Sequence, residues 1–182
     1  MENTNVGHGN TMPFTPYHMG PGMLLKAAAP DRFSIVVFGL TQVAIDMEAL
    51  WYLIRWDLPI HRFWHTYLGA TVVFAVFALV GKPASQTVKS AWNRCTTFFG
   101  HRELNVPEHT SWLAAFTGAV VGSYSHVLLD SMYSYDMTPM QPWNDRNPLL
   151  GLVGPTWLIV LCVFLGVLGI GGYLERRIRR QE

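Results

Sequence analysis

Charge is scarce in this chain: Asp, Glu, Lys and Arg supply 14% of its 182 residues, against about 25% in an average soluble domain. That argues against an ordinary water-facing surface. The net charge is +1, and no stripe of Arg and Lys interleaved with aromatics is present, so no nucleic-acid partner is expected. Cysteine is scarce too. Cys95 and Cys162 stand far apart, form no CxxC or zinc-knuckle spacing, and read as isolated thiols. A P-loop, a GxGxxG turn and a Gly-x-Ser-x-Gly elbow are missing, as are internal repeats. Residues 1–11 are polar, without the apolar core or cleavage site of a signal peptide. They read as a disordered tail, with His8 solvated.

What the chain does have is long apolar runs: residues 33–54, 63–80, 112–133 and 149–174. Roughly 20 helical residues cross the hydrocarbon core. The expectation is an all-α polytopic membrane bundle of about four transmembrane helices, forming one integral-membrane domain over residues 12–174. The second run is short and needs interfacial residues such as Trp64. A further apolar stretch, residues 16–30, is too short to span and is bracketed by prolines. It reads as a short membrane-embedded helix. Either it enters the bundle with His18 at the outer end and Lys26 toward the cytoplasm, or it lies flat on the cytoplasmic surface with His18 far from any site.

Basic residues orient the bundle. Lys82, Lys89, Arg94 and Arg102 fall in the polar stretch 81–110, and Arg176, Arg177, Arg179 and Arg180 in the tail 175–182. The positive-inside rule assigns both to the cytoplasm, so the chain is expected in the cell (inner) membrane with a cytoplasmic C-terminus. The loops 55–62 and 136–148 then face outward.

Against this apolar background a few residues are out of place. Asp46 and Glu48 lie late in the first run, His126 and Asp130 late in the third, and His61 and His65 at the mouth of the second. A charge inside a membrane costs about 2.5–3.5 kcal/mol on insertion scales, so it is expected to face a partner, an ion or a water-filled cavity. The topology brings all six to the outer end. His126 and Asp130, at i and i+4, share one helix face, and imidazole with carboxylate suits a divalent metal, zinc first. The competing reading is a plain His–Asp hydrogen bond between helices. His61 and His65 are also i, i+4 if the second helix starts early; otherwise they are interfacial histidines. Asp46 and Glu48 differ by roughly 200° around a helix. Asp46 is therefore the expected ligand, with Glu48 a second ligand or a base, or else paired with Arg55 or Arg62. His101 and His109 read as surface residues. Asp136 and Asp145 are loop acids, solvated or gating a substrate.

The order Pro-Tyr-His18, Ile-Asp46-Met-Glu48, His61-Arg-Phe-Trp-His65-Thr and Ser125-His126-Val-Leu-Leu-Asp130 resembles the YdjM-type family of membrane-bound metal-dependent hydrolases. Its members carry Gly-His or Ser-His near the start, Asp-x-Asp at a helix end, His-Arg-Gly-x-Thr-His-Ser, and then Ser-His-x-x-x-Asp. The resemblance covers residues 12–145. Here Asp-x-Asp becomes Asp-x-Glu, and the double-histidine motif is one residue shorter, which leaves open whether His61 or His65 ligates. The ligand order is also similar to that of zinc-dependent phospholipase C and P1-type nucleases. The resemblance implies a metal held by His18, Asp46, His61, His65, His126 and Asp130, and hydrolysis of a phosphoester. Asp46 and Glu48 would work on the attacking water and Arg62 would hold phosphate. A site at the outer boundary suits a lipid or lipid-linked substrate. The rival classes are a small transporter using Asp and His as a proton relay, a metal-stabilised membrane protein without catalysis, and a haem protein, which the carboxylates disfavour.

Overall fold

The computed structural model describes residues 16–179; the expected 1–11 tail and Arg180 lie outside them. Among the described residues the chain is all helix: α1 (Met19–Ala28), α2 (Ile35–Ile54), α3 (Tyr67–Phe98), α4 (Trp112–Ser131) and α5 (Pro155–Arg179). Short 3-10 turns occur at Pro16–His18, Phe63–His65 and Arg102–Leu104. Helices α2 to α5 are each long and apolar enough to cross a membrane, as the apolar runs require.

Side-chain caps set three of the starts. Ser34, Thr66 and Ser111 accept the backbone N–H of Val37 (3.3 Å), Gly69 (3.0 Å) and Ala114 (3.1 Å), each satisfying a donor that the first turn leaves open. Pro155 opens α5, where it has no needed N–H to lose.

The helix boundaries depart from the sequence reading in three places. Helix α3 does not end near residue 80 but continues through Pro83 for 32 residues, a length of about 48 Å against a hydrocarbon core of about 30 Å. Its second half is polar yet helical because the returning chain binds its side chains. Lys89 donates to His109 O and Thr110 Oγ1, Trp92 to Leu104 O, Asn93 to Val106 O, and Thr96 to Asn105 Oδ1. Helix α5 begins at Pro155 rather than at 149, and it runs on through residues 175–179 of the expected tail. Falling hydropathy marks where the apolar stretch ends, not where hydrogen bonding along the helix ends.

Contacts fix the directions. Ser34 N–H donates to Ala114 O at 3.0 Å where α2 and α4 begin, while Asp46 meets His126 and Asp130 near their other ends. These two helices are therefore parallel. Between those levels a Cβ on Gly122 would collide with Thr41 and with the Phe38 backbone, so the glycine is what lets α2 and α4 come this close. Helix α3 runs against both, touching Ser34 and Thr110 through Ser85 at one end and Tyr124 through Thr71 toward the other. Helix α1 lies along α5, with Gly20 against Cys162 and Gly169 against Met23 and Leu24. It stands within the bundle rather than flat on a surface. At its far end the Lys26 ammonium donates to Pro30 O and Phe33 O.

Candidate metal centre

Three separate elements deliver four ligand atoms to one place. Asp46 comes from α2, His126 and Asp130 from a single face of α4, and His65 from the 3-10 turn before α3. All four residues are buried, and their ligand atoms lie within 4.8 Å of one another. His126 Nε2 is 3.1 Å from Asp46 Oδ1 and 3.1 Å from Asp130 Oδ2. His65 Nε2 is 3.8 Å and 3.9 Å from the same two oxygens. Ligands about 2.0–2.1 Å from a tetrahedral zinc stand about 3.3 Å apart, which falls inside this range. Neither ring nitrogen has a hydrogen-bond partner among the described residues. His126 Nε2 thus sits equally far from an oxygen of each carboxylate. The donor set fits a divalent metal ion.

Around the four stands a layer of residues that hold them. Gln42 Oε1 lies 3.2 Å from His126 Nδ1. Glu48 Oε2 accepts the Trp64 N–H at 2.9 Å and lies 3.5 Å from His65 Nδ1. The Tyr133 hydroxyl donates to Asp130 Oδ1 at 3.0 Å. His18 is fully buried, with Nε2 3.5 Å from Asp130 Oδ1 and its ring edge-on to His126. Burial pushes the His18 imidazole down to about 4, outweighing the pull of Asp130, so it is neutral at pH 7. Burial also works against charge on His65, but Asp46 and Glu48 outweigh it and raise that imidazole.

The six expected ligands therefore divide. Asp46, His65, His126 and Asp130 form the cluster, and His18 borders it through Asp130. His61 does not join it. The segment 61–65 is not an early turn of helix but an irregular strand of chain closed by the 3-10 turn, so the i, i+4 spacing has no helical meaning there. His61 Nδ1 is held by Asp136 Oδ1 at 2.6 Å, and its ring packs edge-on against His65. Asp136 is thus a partly buried partner of His61 rather than a free loop acid. Despite burial, its carboxyl is held below the usual range by His61 and by the N–H groups of Ile60 and His61. Glu48 is oriented at His65 rather than at the cluster or at an arginine, because the two-residue offset from Asp46 points it back toward the chain that follows α2. Arg62 is committed elsewhere. It pairs with Asp57 at 2.7 Å, donates to Pro59 O, and lies over the Tyr52 ring; it is a brace for the loop that follows α2. His101 and His109 are exposed, as expected, and Asp145 accepts from Gln141.

Gln42 and Tyr133 were missed from sequence. Gln42 stands one helical turn before Asp46 and Tyr133 three residues after Asp130, so spacing from a ligand was the signal available. Comparison with family models, with curated proteins and with solved structures finds no match to this chain.

Proposed function

We propose that this chain is a membrane-bound, metal-dependent hydrolase acting on a phosphoester or lipid-linked substrate at the outer membrane–water interface. The observation that carries the reading is the meeting of Asp46, His65, His126 and Asp130 inside helices apolar enough to span a membrane. Two aspartates at that depth are costly unless something cationic is shared between them. Two imidazoles and two carboxylates favour zinc over the oxygen-only preference of magnesium or calcium. The likeness to the YdjM-type hydrolases points the same way.

A bound divalent ion would supply Lewis acidity and a water acidic near neutral pH. The chain's own residues do the rest. His65 and His126 would hold the ion as neutral rings, while Asp46 and Asp130 would offset its charge. Glu48 and Tyr133 fix His65 and Asp130 in place. Asp46 is the least buried of the four and is the carboxylate best placed to take a proton from water as the water oxygen bonds to phosphorus, and to return that proton to the ester oxygen that leaves. Trp56, Tyr135, Trp143 and Trp157 are exposed on the segments at this end of the bundle, which suits an interfacial belt beside a lipid headgroup. The basic residues of α3 and of the C-terminal end of α5 gather at the opposite end, where Arg177 donates to Glu103 O. This supports a cytoplasmic C-terminus.

A second reading has its own support: four buried ligands can close a tetrahedral shell, leaving a structural ion with no reaction. One experiment separates the readings. Detergent-purified protein is assayed for bound metal, then for hydrolysis of phosphodiesters, phosphomonoesters and lipid-linked phosphates with and without chelator. Chelator-sensitive turnover supports the hydrolase. Stoichiometric metal that stabilises the fold without turnover supports the structural site. A metal-free protein that carries protons across liposomes overturns both.

A further inference from the structure

Beyond the ligands, one residue decides whether His126 can be a ligand at all. An imidazole binds a metal through the nitrogen that lacks a proton, and which nitrogen that is depends on the bond made by the other. His126 Nε2 is the atom facing Asp46 and Asp130, so as a metal ligand it must carry the lone pair. Nδ1 must then carry the hydrogen and needs an acceptor. His126 is wholly buried. The acceptor is Gln42 Oε1 at 3.2 Å, on the α2 face that also bears Asp46 one turn further on. Gln42 is itself 5% exposed, and its Nε2 has no partner among the described residues. A buried amide is kept with its Nε2 unpartnered among the described residues, at a cost in stability, while its Oε1 meets His126.

We propose that Gln42 is a positioning residue of the metal centre: its carbonyl holds His126 as the Nδ1–H tautomer and presents Nε2 to the ion. This rests on the metal reading above and adds that affinity is set partly by a neutral amide acceptor on α2. His65 is served differently, by the carboxylate of Glu48, so the two histidine ligands are tuned by acceptors of different charge.

The test is zinc binding by the full-length, metal-stripped protein in detergent, measured by competition with a chelating dye, with cobalt absorption as a report on ligand geometry. Gln42→Met keeps the volume and removes the acceptor; Gln42→Glu keeps the acceptor and adds charge. The expected result is a 10–100-fold loss of zinc affinity in Gln42→Met with an altered cobalt spectrum. Gln42→Glu should bind at least as tightly as wild type with the wild-type spectrum. Equal affinity of wild type and Gln42→Met, with wild type binding zinc, would overturn this inference alone. Equal weakening by both substitutions would do the same, because it would mark a packing role. If Gln42→Met does not fold, a weakened Gln42→Glu still overturns it. Wild type that binds no zinc or cobalt would overturn the metal reading and this inference with it.

Discussion

Helices α2 and α4 and the pair α1–α5 solve the same packing problem and end up with opposite surfaces. Both pairs meet through glycine: Gly118 and Gly122 lie against α2, and Gly20 and Gly169 lie between α1 and α5. Yet α5, with mean hydropathy 2.3, is the most apolar span and only 17% buried over that window, whereas α2 and α4, at 1.3 each, are 39% and 44% buried. In water the most apolar helix would be innermost. In a bilayer lipid takes the apolar surface, and the interior goes to the helices whose polar groups cannot face lipid. The less hydrophobic spans are the ones carrying Asp46, His126 and Asp130.

Breaking the polar interior should have the largest effect. His126→Ala should abolish bound metal by elemental analysis and destabilise the bundle by about 3–5 kcal/mol, since it removes the nearest imidazole that Asp46 and Asp130 share. Retention of full metal content would show that the cluster is not a metal site.

The two glycine seams give a sharper comparison. A Cβ at Gly122 collides with Thr41 and the Phe38 backbone, and one at Gly169 with the backbone of Met23 and Leu24. Gly122→Ala and Gly169→Ala should each cost about 1–3 kcal/mol by overpacking. Only Gly122→Ala should also weaken metal binding, because it separates Asp46 from His126. Parallel melting and zinc titrations check this, and equal zinc affinity in the two variants would contradict a site built between α2 and α4.

A smaller effect is expected at Glu48. As the group orienting His65, its replacement by Gln should lower zinc affinity about 10–100-fold with little change in melting temperature. A variant with wild-type zinc affinity but lost turnover would restore Glu48 to the role of base. The smallest effect belongs to the lipid-facing side of α5. Phe164→Leu, at an exposed position, should change stability by no more than about 0.5 kcal/mol and leave metal content intact.

Much of the site could be read from sequence because helices make spacing into geometry. His126 and Asp130, at i and i+4, had to share a face, and Asp46 was conspicuous as a charge in an apolar run. Where the chain leaves regular helix that translation fails. Nothing in the spacing of His61 and His65 tells which one enters the cluster. The choice is made by Asp136, 75 residues beyond His61, which takes His61, and by Glu48, which holds the turn bearing His65. Arg62 reads as a phosphate ligand until Asp57 and Tyr52 are seen to hold it.

By itself the sequence determined the membrane bundle, its four spans and the residues that lipid would not tolerate, because hydrophobic length and the cost of intramembrane charge are properties of composition and order. Tertiary structure alone decided that α3 runs on past its apolar stretch, that α1 stands against α5 to bring His18 beside Asp130, and which atoms face the shared centre. Those outcomes depend on contacts between residues far apart in the chain. Close approach at Gly122, the Asp136–His61 clamp and the Gln42–His126 bond are set by packing, on which local periodicity is silent.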